Sequence, residues 1–321
     1  MRTFKIGAND AGQRLDKFLS KAVKRLPKSL LYKSIRLKRI KVNGKRCEIS
    51  TRLQPGDIVD LYINDEFFGD TPLALPFLVA PPTIDVVYED DNILLVNKHP
   101  GLVVHEDESG SEDTLIHRIQ HYLYNKGEYR PEQEHSFAPA LCNRIDRNTG
   151  GIVIAAKNAQ SLRILNQKIK NRELRKLYLC VVRGILDSKN GEWKAYLKKD
   201  ETTNTVMVSN RKAPDNRTII TAYRVLEETK NYSLVEVDLK TGRTHQIRAH
   251  FAYMGHPLVG DGKYGKLEKG NLAGIRQQLL YSYRLDFCFT TDAGILTYLN
   301  GKSFCVQDIW FAKNFHEIFS E

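Results

Sequence analysis

No run in this chain approaches the roughly 20 apolar residues that a bilayer span requires, so a membrane-spanning protein is not expected. Met1 to Gly12 also lacks the apolar centre of a signal peptide, and a cytoplasmic location is expected. Cysteine is scarce. The five residues, Cys47, Cys142, Cys180, Cys288 and Cys305, are odd in number, scattered and never spaced as Cys-x-x-Cys, which speaks against a disulfide framework and a zinc knuckle. His117 and His121 stand four apart, but Arg118 replaces the zincin glutamate, so they read as a surface pair and no metal site is expected. There is no Gly-x-Ser-x-Gly elbow for a serine hydrolase. Gly260 to Gly265 matches Gly-x-Gly-x-x-Gly by letter, without a βαβ unit around it to hold a dinucleotide. Gly301-Lys302-Ser303 ends like a phosphate loop, yet Leu296 stands where that loop requires glycine.

Acidic residues are nearly missing from one segment. Residues 14 to 46 hold thirteen Lys and Arg against one acid, Asp16, while the remainder carries 36 basic and 37 acidic residues. The whole net charge of +11 therefore resides in about a tenth of the chain, a density that favours a polyanionic partner over a merely solvated face. The segment should fold, because Leu15, Phe18, Leu19, Ala22 and Leu26 follow helical spacing. Pro27 and Ser29 open a second helix that leaves Lys33, Arg36, Lys38 and Arg39 outside. Ile40 and Val42 alternate with basic residues, Asn43-Gly44 marks a hairpin turn, and Pro55-Gly56 leads into an alternating strand over 58–63. The run Arg14-Leu15-Asp16-Lys17-Phe18-Leu19, the basic second helix, Ile40 to Gly44 and Pro55-Gly56-Asp57 together resemble the S-four type RNA-binding domain. The expected organisation is a small α/β domain over 1–63, a proline-bearing linker over 64–83 and a larger domain over 84–321.

From residue 84 onward, strand-like and helix-like segments alternate without a repeat. Strands are expected at 86–88, 93–97, 152–156, 177–182, 219–226 and 234–239, and helices at 114–124 and 161–170. The later strands lack helices between them, so the fold class is α+β with a largely antiparallel mixed sheet flanked by helices and loops.

Two stretches carry candidate chemistry. Asn143-Arg144-Ile145-Asp146-Arg147-Asn148-Thr149-Gly150-Gly151 places a lone carboxylate where a turn enters a buried strand, a position that often bears function. Taken alone, Asp146 could equally cap the turn and pair with its flanking arginines. Thr241 to His250 follows an alternating strand and hands over to a helix whose Ile247, Phe251 and Met254 share one face, leaving Arg243 free at the junction. An aspartate and an arginine so placed suit a buried ion pair. Tyr178, in an otherwise apolar strand, reads as a core aromatic or as a ring laid against a base.

The chain from residue 84 resembles the RluA family of RNA pseudouridine synthases. Four stretches carry the likeness: Tyr88 to Asp91 with Val96-Asn97-Lys98; Arg144 to Arg147 with Thr149; Lys176 to Leu179; and Thr241 to His250 with Gly255 to Leu258 and Gly260 to Gly265. The resemblance implies that uridine in RNA is detached from ribose, rotated and rejoined through ring carbon 5, without cofactor or metal. It assigns the essential carboxylate to Asp146, the tyrosine to Tyr178 and the basic partner of the aspartate to Arg243. It also suggests that Arg144 fills the space left when the target base is flipped out of its stack. Arg147, Ile247 and Arg248 are further substrate-contacting candidates, and Arg36, Lys38 and Arg39 are candidates for phosphate binding. The partner is RNA, ribosomal before transfer RNA, and a monomer is expected. The rival is a non-catalytic RNA-binding or ribosome-assembly factor that uses only its charge. Asn143, Gly151, His99 and Tyr281 depart from residues common in the family (His, Ser, Pro and His) and leave the subfamily and its target uridines open.

Overall fold

A computed structural model describes residues 1–69, 75–106, 110–267 and 272–320. The first part builds a small sheet with two helices on it. Its elements are β1 (Arg2–Lys5), α1 (Leu15–Ala22), α2 (Lys28–Arg36), β2 (Ile40–Val42), β3 (Lys45–Arg46) and β4 (Ile58–Leu61), with strand order β1-β4-β2-β3, all antiparallel. The expected Asn43-Gly44 turn joins β2 to β3, and both residues have positive φ (51° and 69°), as a tight hairpin requires. Leu15, Phe18 and Leu19 of α1 and Leu31 and Ile35 of α2 are buried against Ile40, Val59 and Leu61, so this unit owns a core. Strand β1 was not foreseen from sequence. It adds Phe4 to that core by pairing with β4.

The second part is an eleven-stranded sheet. In chain order its elements are β5 (Val86–Glu89), β6 (Ile93–Lys98), α3 (Leu115–Asn125), β7 (Ala140–Leu141), β8 (Gly150–Ala156), α4 (Ala159–Lys170), β9 (Leu174–Arg183), β10 (Asn190–Asp200), β11 (Thr205–Ser209), β12 (Arg217–Glu228), β13 (Tyr232–Leu239), α5 (Gln246–Tyr253), β14 (Leu280–Phe287), β15 (Ser303–Cys305), α6 (Trp310–Lys313) and α7 (Phe315–Phe319). The main path runs β11-β10-β12-β13-β9-β14-β8-β6-β5, with β15 on β14 and β7 on β8. Every pairing among the described strands is antiparallel except β8 with β14.

Both faces of the sheet are covered at its centre, which explains why the central strands read as continuous apolar runs. Strand β8 is buried along its whole length. Ile152 and Ile154 pack with Leu165 of α4 and Phe287, while Val153 and Ala155 face Leu115 and Ile119 of α3. In β9, Tyr178, Cys180 and Val182 face Ile247 and Phe251 of α5, while Leu179 and Val181 face Phe311, Phe315 and Phe319. Each such buried side chain contributes about 1.5–3 kcal/mol relative to exposure, so the two covers fix the sheet between them.

Two expectations change, at His117 and at Leu26. His117 is buried rather than a surface partner of His121: its Nδ1 lies 2.7 Å from the Glu112 carbonyl, whereas His121 Nδ1 lies 2.6 Å from the Ala80 carbonyl. The segment expected as a linker is packed at both ends, with Phe67 and Phe68 against the small core and Phe77 buried against α3. Leu26 is buried but lies beyond α1, which stops at Ala22. No helix among the described residues is long and apolar enough to cross a membrane.

Candidate active site

The loop between β7 and β8 carries Asp146, and its shape is fixed from several sides. The Ile154 amide donates to Asn143 Oδ1 (2.8 Å), and the Thr149 amide donates to the Asp146 carbonyl (3.0 Å). At the loop's exit, Gly151 has φ +115°, and a Cβ there would lie 2.2 Å from the Ser282 carbonyl oxygen. Only glycine lets β8 come so close to β14 at this point. Below the loop Lys98 is 1% exposed and donates to three carbonyls, those of His99 (3.0 Å), Leu102 (2.8 Å) and Arg147 (2.8 Å). The ammonium's three donors are thus all used, and one of them holds the residue after Asp146. Burial pulls the Lys98 pKa down to about 7, while the nearby charge of Asp146 opposes that fall.

The second side of the site comes from α5. His245, in a left-handed conformation (φ 51°), precedes the helix, and Gln246 locks the turn. Gln246 Oε1 accepts from Thr241 Oγ1 (2.9 Å) and the Arg243 amide (3.1 Å), and its Nε2 donates to the Ile220 carbonyl (3.1 Å). This start directs Arg248 toward the loop. Its Nη1 donates to Asp146 Oδ2 at 3.0 Å, and its Nε and Nη2 donate to Asp261 at 2.7 and 2.9 Å. Asp261 is itself buried and accepts from the amides of Lys263 (3.0 Å) and Tyr264 (3.2 Å). The Tyr264 ring lies 5.3 Å from the guanidinium carbon, with its hydroxyl 2.7 Å from His245 Nδ1. A planar fork gripped on two nitrogens by one carboxylate leaves its third directed at the other, which orients Asp146 without consuming it. No donor among the described residues engages Asp146 Oδ1.

The model of the RNA pseudouridylate synthase family matches residues 92–253, half of the chain. The chain belongs to that family. The S-four domain model matches residues 13–59. The ribosomal large subunit pseudouridine synthase C of Vibrio cholerae is 34% identical over 262 residues, 79% of this chain and 78% of that protein. Its namesake from Haemophilus ducreyi is 33% identical over 88% of this chain and 87% of that one. The RNA pseudouridine synthase YlyB of Bacillus subtilis is 31% identical over 79% of each. Among solved structures, the human RNA pseudouridylate synthase domain containing 1 and 4 proteins share the fold. Their TM-scores are 0.55 and 0.58 at 22% and 19% identity, covering 74% and 73% of this chain and 86% and 92% of theirs.

The pseudouridine synthase fold gathers some of the expected residues and separates others. Asp146 and Arg248 meet, and His245 Nε2 lies 3.9 Å from Asp146 Oδ2; Lys98 and Tyr178 lie close enough to sense the charge of Asp146. The arginine paired with Asp146 is thus Arg248, not Arg243. Arg243 is exposed and lines a separate cleft of about 320 Å³ with Lys198 and Arg217. The reason is the left-handed residue His245, which resets the helix start so that its third residue, rather than the turn, faces the loop. Nor is Asp146 held by its neighbours: Arg147 Nε donates to the Gly101 carbonyl (3.3 Å), and Arg144 is exposed. Ile247 is buried beside Tyr178 under the site rather than open to substrate. Arg36, Lys38 and Arg39 are exposed on the small unit, as expected. Tyr281, one of the departures, donates to Asn97 Oδ1 (2.6 Å), and its ring lies where a Cβ on Gly150 would stand, so Gly150 and Tyr281 fit as a pair.

Sequence reasoning missed Asp261, Lys98, His245 and Tyr264 as site components. Asp261 lies in the Gly-Asp-Gly run, whose glycines invite a nucleotide-loop reading, although its buried carboxylate supports an arginine. The electrostatics are consistent with the contacts. Burial works against the charge of Arg248, but Asp261 first and Asp146 second more than offset it and its pKa is raised. Asp261 stays ionised, since Arg248 outweighs the cost of its burial. Burial lowers the His245 pKa against the pull of Asp146, favouring a neutral imidazole. Burial also raises the Tyr178 hydroxyl to about 12; its bond to Ser282 acts the other way. Tyr178 is therefore a neutral ring buried near the partly exposed carboxylate of Asp146. Such a pair can face a planar base on one side and a developing positive charge on the other.

Proposed function

We propose that this RNA pseudouridine synthase acts on large-subunit ribosomal RNA, with Asp146 as its catalytic carboxylate, Tyr178 as the ring that meets the base, and Arg248 holding the carboxylate. The observation that carries the reading is the one-sided grip on Asp146: Oδ2 is bound by Arg248, while no donor among the described residues engages Oδ1. As the N1–C1′ bond breaks, its electron pair leaves with uracil and positive character grows on the sugar. The carboxylate stabilises or traps that charge. After the base turns, the C5–C1′ bond forms, C5 gives up its proton and N1 takes one up, so the product is an isomer and nothing is consumed. The relatives named for the ribosomal large subunit support the choice of RNA.

A uracil within folded RNA has to leave its stack first, at a cost of a few kcal/mol. In this reading Arg144, exposed two residues before Asp146, fills the gap, and the exposed Arg147 and Arg243 hold phosphates of the RNA. Residues 1–63 serve as the RNA-binding domain, with Arg36, Lys38 and Arg39 at phosphates, joined through 64–83 to the catalytic domain 84–321. Release of tritium from 5-tritiated uridine in large-subunit RNA tests the reading. Wild-type protein releases it, and Asp146→Asn lowers release at least about a thousandfold with unchanged melting. Equal release by the variant would remove Asp146 from the chemistry.

A further inference from the structure

The RNA-binding unit is seated on the catalytic unit through a polar interface that the reaction does not use. Asn9 Nδ2 donates to Glu134 Oε1 (2.7 Å), while Asn9 Oδ1 accepts from the Ala159 amide (3.0 Å), a first-turn amide of α4 with no partner inside its helix. Gln13 Nε2 donates to Ser136 Oγ (2.7 Å), and Ser136 Oγ donates on to Asp10 Oδ1 (2.6 Å), a carboxylate only 2% exposed. Arg163 Nη1 donates to the Ala11 carbonyl (3.1 Å). Between these bonds His135 sets its ring edge-on to Phe4 and Phe18, with centroids 5.1 and 6.4 Å away.

Two features of placement give this contact a consequence. The docking residues lie within 4–18, whereas the exposed Arg36, Lys38 and Arg39 lie elsewhere on the unit and are left open for RNA. The strap 134–136 runs on through β7 into the loop of Asp146, ten residues after Ser136. One short segment thus touches the RNA-binding unit at one end and carries the catalytic carboxylate at the other.

Resting on the function proposed above, we infer that Asn9, Asp10 and Gln13, with Glu134, Ser136 and Arg163, are specificity-determining residues. They fix the span between the phosphate-binding surface and Asp146, and so decide which uridine of a bound RNA reaches the carboxylate. A polar contact of this size suffices because the units are tethered. Phe68 packs on one unit and Phe77 on the other. The chain between them reaches at most about 30 Å, so the units meet at an effective concentration in the millimolar range or above. A contact of submillimolar strength therefore stays closed most of the time. Bound RNA adds a second link with its own geometry, and only RNAs whose phosphate-to-uridine span matches the docked arrangement engage both ends.

The test separates contact from tether. Ser136→Asp places a second carboxylate against Asp10, and ten Gly/Ser residues inserted after Thr71 lengthen the tether. Both proteins and their combination are assayed on full-length large-subunit RNA, with pseudouridine mapped base by base, and on a short stem-loop bearing the preferred uridine. The insertion alone is expected to leave the ratio of preferred to other sites within about twofold. Ser136→Asp lowers that ratio about tenfold and the combination lowers it further, while turnover on the short stem-loop stays within about twofold. Should Ser136→Asp lose its folded melting transition, Asn9→Ala with Arg163→Ala takes its place. An unchanged ratio in the combined protein overturns the inference, as does an insertion alone as damaging as the combination, since the tether would then set the span. Absence of pseudouridine with wild-type protein on every RNA would instead overturn the underlying function.

Discussion

The two positively charged regions of this protein are built in opposite ways. In the small unit many cations stand exposed, Arg36, Lys38 and Arg39 among them, and no ion pair to any of these three is found among the described residues. Around the catalytic carboxylate the cations that hold the site are buried and committed, Lys98 to three carbonyls and Arg248 to two carboxylates, while Arg144 and Arg147 of the loop stay exposed. The difference follows from the task. Attraction of a polyanion improves with available charges that release counterions, whereas stabilising one developing charge needs a few dipoles and ions already in position, so that nothing must reorganise during reaction.

That contrast is most severely tested by exchanging the roles of two arginines from one motif. Arg248→Met should lower kcat by about a hundredfold to a thousandfold, while Arg243→Met should change kcat less than about tenfold and act mainly on KM; Asp261→Asn should fall between them. Single-turnover kinetics on a stem-loop substrate decide this, and equal losses at both arginines would erase the distinction between committed and available charge.

A smaller effect is expected from the exposed set. Replacing Arg36, Lys38 and Arg39 together by Gln should shallow the slope of log affinity against log salt by about two to three, with turnover at saturating RNA unchanged. An unaltered slope would place the phosphate clamp elsewhere.

The smallest effect concerns pH. His250 is buried, its Nδ1 is 2.9 Å from Thr221 Oγ1, and burial pushes its pKa down to about 4. Its unfolded pKa is about 6.5, so the neutral folded form contributes stability that is complete above pH 6.5 and lost as pH falls toward 4, up to about 3 kcal/mol. The small unit holds no histidine in residues 1–69. Melting at pH 7 and pH 5 should therefore show the catalytic unit losing more than the small one, and His250→Gln should reduce the gap.

The same contrast explains what the sequence revealed. Available charge is a matter of composition, so the basic segment, its two helices and the Asn43-Gly44 hairpin were legible residue by residue. The buried strand after Asp146 was legible because both faces of the sheet are covered and the run is continuous. Committed charge depends on partners far along the chain. Arg248 meets Asp146 across 102 residues, and its choice over Arg243 turns on one left-handed residue, His245, that no periodicity announces. Strands β10 and β14 escaped notice for a related reason. Trp193, Ala195 and Leu197 alternate with Lys194, Tyr196 and Lys198, and Leu280 to Phe287 mixes Ser282, Arg284 and Asp286 among apolar residues. Their ladders to β12 and β9, rather than their own composition, place them in the sheet.

The parallel pairing of β8 with β14 has a temporal side. A nascent chain that has emerged only as far as residue 279 already contains Asp146, Arg248 and Asp261, but the centre of its sheet is missing, because β14 lies between β9 and β8. Tyr281 must travel to Gly150, and Ser282 to Gly151, before the loop of Asp146 has its floor. Contacts of such sequence separation close late and slowly. During synthesis the residues of the site thus emerge well before the site is assembled, which waits for β14 to enter the sheet.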